Sequence, residues 1–129
     1  MKYINISKYL IERDNEKLIK VSDSNIDDIV KKYQNIDRDF LIFIKEVGVG
    51  NIDNRLDLKG DLFDFFDLGL EDIYLVSESV KFFGDNFSGD FIGFDFTDSN
   101  QVVEFWHDSQ ELFYTGKTFY EYIHDLIIV

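Results

Sequence analysis

Three carboxylate pairs, Asp90 with Asp95, Glu104 with Asp108 and Asp64 with Asp67, could in principle support general acid–base chemistry. Such chemistry needs two acids whose surroundings drive their pKa values apart. With 26 Asp and Glu in 129 residues, the sequence singles out no one pair. The run Asp85-Asn86-Phe87-Ser88-Gly89-Asp90 resembles the start of a calcium loop, but Phe87 and Gly89 stand where oxygen ligands are required. The twelfth position is Phe96 rather than Glu. Asp98-Ser99-Asn100 fails in the same way, because Val102 occupies the third ligand position. Asx-turn chemistry accounts better for both. His107 and His124 are the only histidines, and no H-E-x-x-H pattern brings them a partner ligand. They read as boundary or surface residues. No nucleophile elbow, Walker loop or dinucleotide fingerprint is present. No cofactor and no metal are expected, and a hydrolase using carboxylates is the least supported class.

Charge narrows the partners. Thirteen Lys and Arg against 26 Asp and Glu leave a formal net charge of −13. Such a field repels nucleic acid and anionic membrane and favours encounter with a basic protein. Phe94, Phe96, Phe105 and Trp106 could be imagined as a base-stacking platform, but such platforms sit in electropositive grooves. Here Asp95, Asp98, Glu104 and Asp108 surround them. With no Cys, disulfides, thiol catalysis and cysteine zinc sites are excluded. The first residues show no long apolar stretch followed by a cleavage pattern, and no apolar run is long enough to span a bilayer. A cytoplasmic protein is expected.

The elements that would position these groups fit one domain with one real core. Ile4, Ile6, Tyr9 and Leu10 are spaced for a short helix. Ser22 to Ser24 look like the cap of a second helix, with Ser24 and Asp27 approximating a capping box and Asp23, Asp27 and Asp28 favourable near its dipole. That helix carries Ile26, Ile29, Val30 and Tyr33 and ends near Gln34 or Asn35. Asp37 can cap a third, with Phe40, Leu41, Phe43, Ile44 and Val47 on its apolar face and Gly48 as its stop. Beyond Gly48 the period shortens. Ile52, Leu56 and Leu58 suit a strand, Lys59-Gly60-Asp61 a turn, and Leu62 to Asp67 a further strand. Ile73 to Val76 and Val80 to Phe83 look extended. Phe91 to Phe96 and Gln101 to Trp106 are the clearest strands, and Leu112 to Tyr114 adds a short one. Thr118 and Glu121 form a capping box for a closing helix with Phe119, Tyr122, Ile123, Leu126 and Ile127 on one stripe. Helices, then antiparallel strands, then a helix predict an α+β domain, a mainly antiparallel sheet packed against N-terminal helices and a C-terminal helix.

Two segments together resemble the SUKH superfamily, which includes fungal cell-wall-synthesis regulators and many bacterial immunity proteins. The first, Ile36-Asp37-Arg38-Asp39-Phe40-Leu41-Ile42-Phe43-Ile44-Lys45-Glu46-Val47-Gly48-Val49-Gly50, is similar to the family's LP-x-[DE]-[YF]-x-x-[FL]-[LI]…G helix. The second runs from Phe82 to His107. It carries the glycine–aspartate strand (Gly89-Asp90, then Phe94-Asp95) and a valine-to-aromatic strand ending in His-Asp. The closing Thr118-Phe119-Tyr120-Glu121-Tyr122-Ile123 resembles the family's C-terminal [ST]-F-x-[ED]-[FY]-[LI] helix. Asp37 stands where the family usually has Pro, and the stretch from Gly50 to Ser79 matches poorly.

The resemblance implies a helical layer against a mainly antiparallel sheet, and a binding protein rather than an enzyme. In bacteria such proteins block a cognate toxin, often a nuclease. The fungal relatives imply the alternative, an intracellular scaffold or regulatory domain. Strand alternation puts Glu104 and Trp106 on one face of their strand, with Val103, Phe105 and His107 on the other. Trp106 is then either an exposed anchor among acids or a side chain packed under the last helix. The expected partner-binding set is Asp85, Asp90, Asp95, Asp98, Glu104, Trp106 and Asp108, facing a basic toxin domain.

Overall fold

A computed structural model of the chain describes residues 2–13, 18–69 and 78–128. Among these residues, three helices, α1 (Ile4–Glu12), α2 (Asp23–Lys32) and α3 (Arg38–Glu46), precede six strands. These are β1 (Gly50–Ile52), β2 (Leu56–Phe63), β3 (Val80–Asp85), β4 (Phe91–Asp95), β5 (Gln101–Trp106) and β6 (Glu111–Tyr114). Helix α4 (Phe119–Ile128) closes the chain. The strands form one antiparallel sheet in sequence order, β1 to β6. The architecture is α+β.

The helices form where local signals predict them. Within the expected Ser22 to Ser24 cap, Ser22 is the capping residue of α2, its hydroxyl accepting from the Asn25 backbone N–H at 3.2 Å. Asp23 lies in the first turn, as expected, where a negative charge suits the helix dipole. Asp37 caps α3 by accepting from the Asp39 N–H. Gly48 ends that helix at φ +121°, and a Cβ there would press on the Ile19 backbone at 3.0 Å. Thr118 and Glu121 make the reciprocal bonds of a capping box, at 3.2 and 3.0 Å.

The sheet differs from expectation at β2. Lys59-Gly60-Asp61 is not a turn; it lies inside one strand. Leu58 pairs with Gly84 and Phe63 with Phe82, so five steps along β2 match two along β3. The surplus residues are absorbed as a bulged irregularity, which keeps Leu58 and Leu62 both buried. The expected strand from Leu62 ends at Phe63, because Asp64 and Asp67 accept from one another's backbone N–H and close a turn. The expected extended segment Ile73 to Val76 lies outside the described residues.

Both faces of the sheet are packed. On one, Phe83, Phe94 and Val102 meet Phe40 and Phe43 of α3 and Phe119 and Ile123 of α4. Phe40 stands edge-on to Phe94 and Phe119 at centroid distances of 5.5 and 5.4 Å. On the other, Val80, Phe82, Val103 and Phe105 gather around Phe65, which the Asp64–Asp67 turn folds over them. Phe65 meets Phe82 and Phe105 edge-on at 5.0 and 5.1 Å. Eleven of the 14 phenylalanines are therefore spent on two aromatic layers with the sheet between them. Among the described residues, no helix is long and apolar enough to cross a membrane.

Candidate protein-binding surface

The residues expected to form a site divide between the two ends of the sheet. Asp95 pairs with Gln101 where β4 turns into β5, and Asp98 lies in that turn. Asp85 and Asp90 flank the opposite turn, between β3 and β4, and Asp108 follows the far end of β5. Five residue steps along β5 separate the two ends, about 17 Å at strand rise.

Asp95 is a correction. It is only 5% exposed and so cannot belong to an acidic rim. Its carboxylate accepts from the Thr97 backbone N–H, the Thr97 hydroxyl and the Tyr114 hydroxyl, at 3.0, 2.8 and 2.7 Å. Burial alone would raise this carboxyl, but those hydrogen bonds outweigh it and hold the pKa below the usual range. The same bond pushes the Tyr114 phenol up to about 12. Asp98 stays exposed and accepts from the Gln101 side-chain amide.

The other end is organised around His107. Asn86 fixes the β3–β4 turn, its side-chain oxygen accepting from the Ser88 and Asp90 N–H groups. Asp85 accepts from the Phe87 N–H. These are the Asx turns expected from the sequence. Asp90 is thereby aimed across at β5. It accepts from the Asn86 amide and the His107 backbone N–H, and its Oδ1 lies 2.7 Å from His107 Nδ1. His107 Nε2 is 3.0 Å from Asp108. The imidazole therefore lies between two carboxylates. The hydrogen bond to Asp90, with the nearby charge of Asp108, raises its pKa, and the Asp90 carboxyl is correspondingly lowered. An Asp–His pair invites comparison with a catalytic dyad, but the second ring nitrogen faces a carboxylate instead of a nucleophile. Among the described residues no group of three or more acids and histidines could hold a metal ion.

On the helix-packed face beside this end, Trp106 lies flat on Phe113 of β6, with centroids 5.0 Å apart and planes 14° from parallel. Glu104 binds them to the fold. It accepts from the Trp106 indole at 3.1 Å and from the buried Tyr122 hydroxyl of α4 at 2.7 Å. Burial and that bond to Glu104 raise the Tyr122 phenol well above its ordinary range. Both alternatives for Trp106 are thus partly realised: it borders α4 through Glu104 yet remains 38% exposed, beside Phe113 at 45%. Glu111 sits opposite Trp106 on β6. Residues 82–116 contain no Lys or Arg. The chain's cations work elsewhere, as in Arg13–Asp53, Lys45–Asp23, Lys59–Asp57 and Lys117–Asp125.

Of the expected set, the structure brings together Asp90 and Asp108 around His107, with Asp85 in the adjacent β3–β4 turn and Glu104 and Trp106 adjoining; Asp95 and Asp98 stand apart. Sequence reasoning missed Phe113 and Glu111. In Leu112-Phe113-Tyr114 every residue is apolar, so alternation cannot say which one faces solvent. Compared with protein-family models, curated proteins and solved structures, the chain matches none.

Proposed function

We propose that this chain is a cytoplasmic binding protein that neutralises a cognate toxin domain by stoichiometric contact, without catalysis. The observation that supports this reading best is the Trp106–Phe113 stack. Two large aromatic rings remain partly exposed at one end of the sheet, among Glu104, Glu111 and Asp108, on a segment without a Lys or Arg. An aromatic anchor surrounded by charge of one sign has the composition of a binding hot spot, and the sign selects a basic partner. The resemblance to SUKH immunity proteins supplies the class of that partner: a toxin domain, with nucleases the leading candidates because their nucleic-acid grooves are basic.

The test is co-expression with the toxin domain encoded beside this gene. The chain should rescue growth and co-purify at one-to-one stoichiometry. Trp106→Ala should weaken the complex by about 2 kcal/mol or more, roughly thirtyfold in Kd. Rescue that survives loss of both Trp106 and Phe113 would remove this surface from the mechanism. A family of partners with no adjacent toxin gene would favour a scaffold instead.

A further inference from the structure

We infer that the outer edge of β6 is a docking strand, and that it takes an extended segment of the basic partner by antiparallel strand addition. The inference rests on the partner-binding reading above and deepens it.

The hydrogen-bond phase of β6 leaves a usable edge. β6 is the last strand of the sheet. The Thr115 N–H donates to the Val102 carbonyl at 3.0 Å, and Val103 stands opposite Tyr114. Antiparallel pairs alternate between hydrogen-bonded and non-bonded. Counting from Thr115, Phe113 and Glu111 spend their backbone groups on β5. Leu112 and Tyr114 point their N–H and C=O groups away from the sheet. These two residues can exchange bonds with an added strand.

Edge strands are usually guarded against such addition by Lys, Pro or an inward charge. Residues 107–116 contain neither Lys nor Pro. Phe113 and Tyr114 are instead 45% and 43% exposed. A second copy is a poor occupant, because both chains would carry the −13 charge. A basic segment meets no such repulsion.

The register specifies the occupant further. In an antiparallel addition, the residue opposite Phe113 projects onto the Trp106–Phe113 stack and should be apolar. The residue two places later lies opposite Glu111 and should be basic. Side chains opposite Leu112 and Tyr114 emerge on the other face. Backbone bonds supply affinity in this mode and the alternate side chains supply selection.

The probe is the peptide acetyl-TVTKTK-amide, with the protein followed by amide NMR. Binding should slow hydrogen exchange at Leu112 and Tyr114 more than at Phe113. N-methylation of the first two threonines, whose amides face Leu112 and Tyr114, should weaken binding at least about tenfold. N-methylation of the valine and first lysine should change it less than about threefold. Phe113→Lys should reproduce the loss, and the methylated peptides keep the test valid should that variant fold poorly. Equal binding by both methylated sets overturns strand addition. If acetyl-TVTETE-amide then still fails to bind, the acidic surface stands as the partner site without the strand. A glutamate peptide that binds as well as the lysine peptide overturns the basic partner and this inference with it. Protection of Leu112 and Tyr114 in a peptide-free dimer assigns the edge to a second copy and overturns it too.

Discussion

Tyr114 on the outermost strand donates its hydroxyl proton to Asp95, two strands away, at 2.7 Å. The bond crosses over β5 and ties the sheet edge to its interior. It accounts for Asp95 being the one buried carboxylate among the described residues while remaining ionised. Tyr114→Phe keeps the ring and removes one donor from a charged acceptor. We expect a loss of about 1–2 kcal/mol in denaturant unfolding at neutral pH.

The same pair sets an acid limb. A carboxyl whose folded pKa is depressed adds stability above its unfolded value, about 3.9, and loses it as pH falls through the folded value. The wild-type advantage over Tyr114→Phe should therefore be complete near pH 6 and shrink below about pH 4. Unfolding curves at a series of acid pH values measure it. A difference that stays constant into acid would mean the phenol acts by packing alone.

His107 should show the opposite slope. Its hydrogen bond to Asp90 and the charge of Asp108 raise its pKa in the folded state. A group whose folded pKa is raised contributes fully below its unfolded value, about 6.5, and loses the contribution as pH rises through the folded value. Stability from this pair should thus decline as pH rises from about 6.5 through the raised folded value. In an NMR titration, Asp90→Asn should lower the His107 pKa and flatten that decline. An unchanged His107 titration in the variant would mean that the 2.7 Å contact carries no charge coupling in solution.

Local chemistry was legible in the sequence and pairing was not. The Thr118–Glu121 box, the Asp37 cap and the Gly48 stop each depend on residues a few places apart, so the chain displays them directly. The borders of β5 follow from its own composition. The passage of β2 through Lys59-Gly60-Asp61 depends on how β3 lies beside it, and Gly60 reads as a turn until that neighbour is known. Asp95 looked like a surface acid because its partner Tyr114 is 19 residues away. Trp106 and Phe113 become a surface only once β5 and β6 are in register. The seven expected site residues lie within 24 residues of one another in sequence, and the hairpin of five-residue β4 and six-residue β5 carries two of them to the far end.

Gly93 shows the same dependence on a neighbour. It sits in β4, where an added Cβ would lie 2.2 Å from the Lys81 carbonyl oxygen and 2.6 Å from the Phe82 Cα. Both obstacles are backbone, so no rotamer change relieves them. Gly93→Ala should force β3 and β4 apart and cost about 3 kcal/mol, the upper part of the range for overpacking. A variant within about 0.5 kcal/mol of wild type, the range of ordinary surface substitutions, would show that the two strands separate easily there.

The division of the acids between two ends gives an internal control for the proposed toxin complex. Asp108 borders the Trp106–Phe113 end, while Asp98 lies about 17 Å away along β5. That exceeds the Debye length of about 8 Å at physiological ionic strength. Charge at Asp98 should therefore be screened from a partner seated on Trp106, and charge at Asp108 should not. Asp108→Lys should slow association with the toxin domain severalfold, on the order expected for a rim charge, and reduce its salt dependence. Asp98→Lys alters net charge equally, since each variant replaces one acid with one base. It should leave the association rate nearly unchanged at about 0.15 M salt. Stopped-flow rates for both variants across a salt series separate local steering from the general field of the −13 chain. Equal slowing by the two substitutions would mean that the partner senses net charge alone, and the surface around Trp106 would lose its claim.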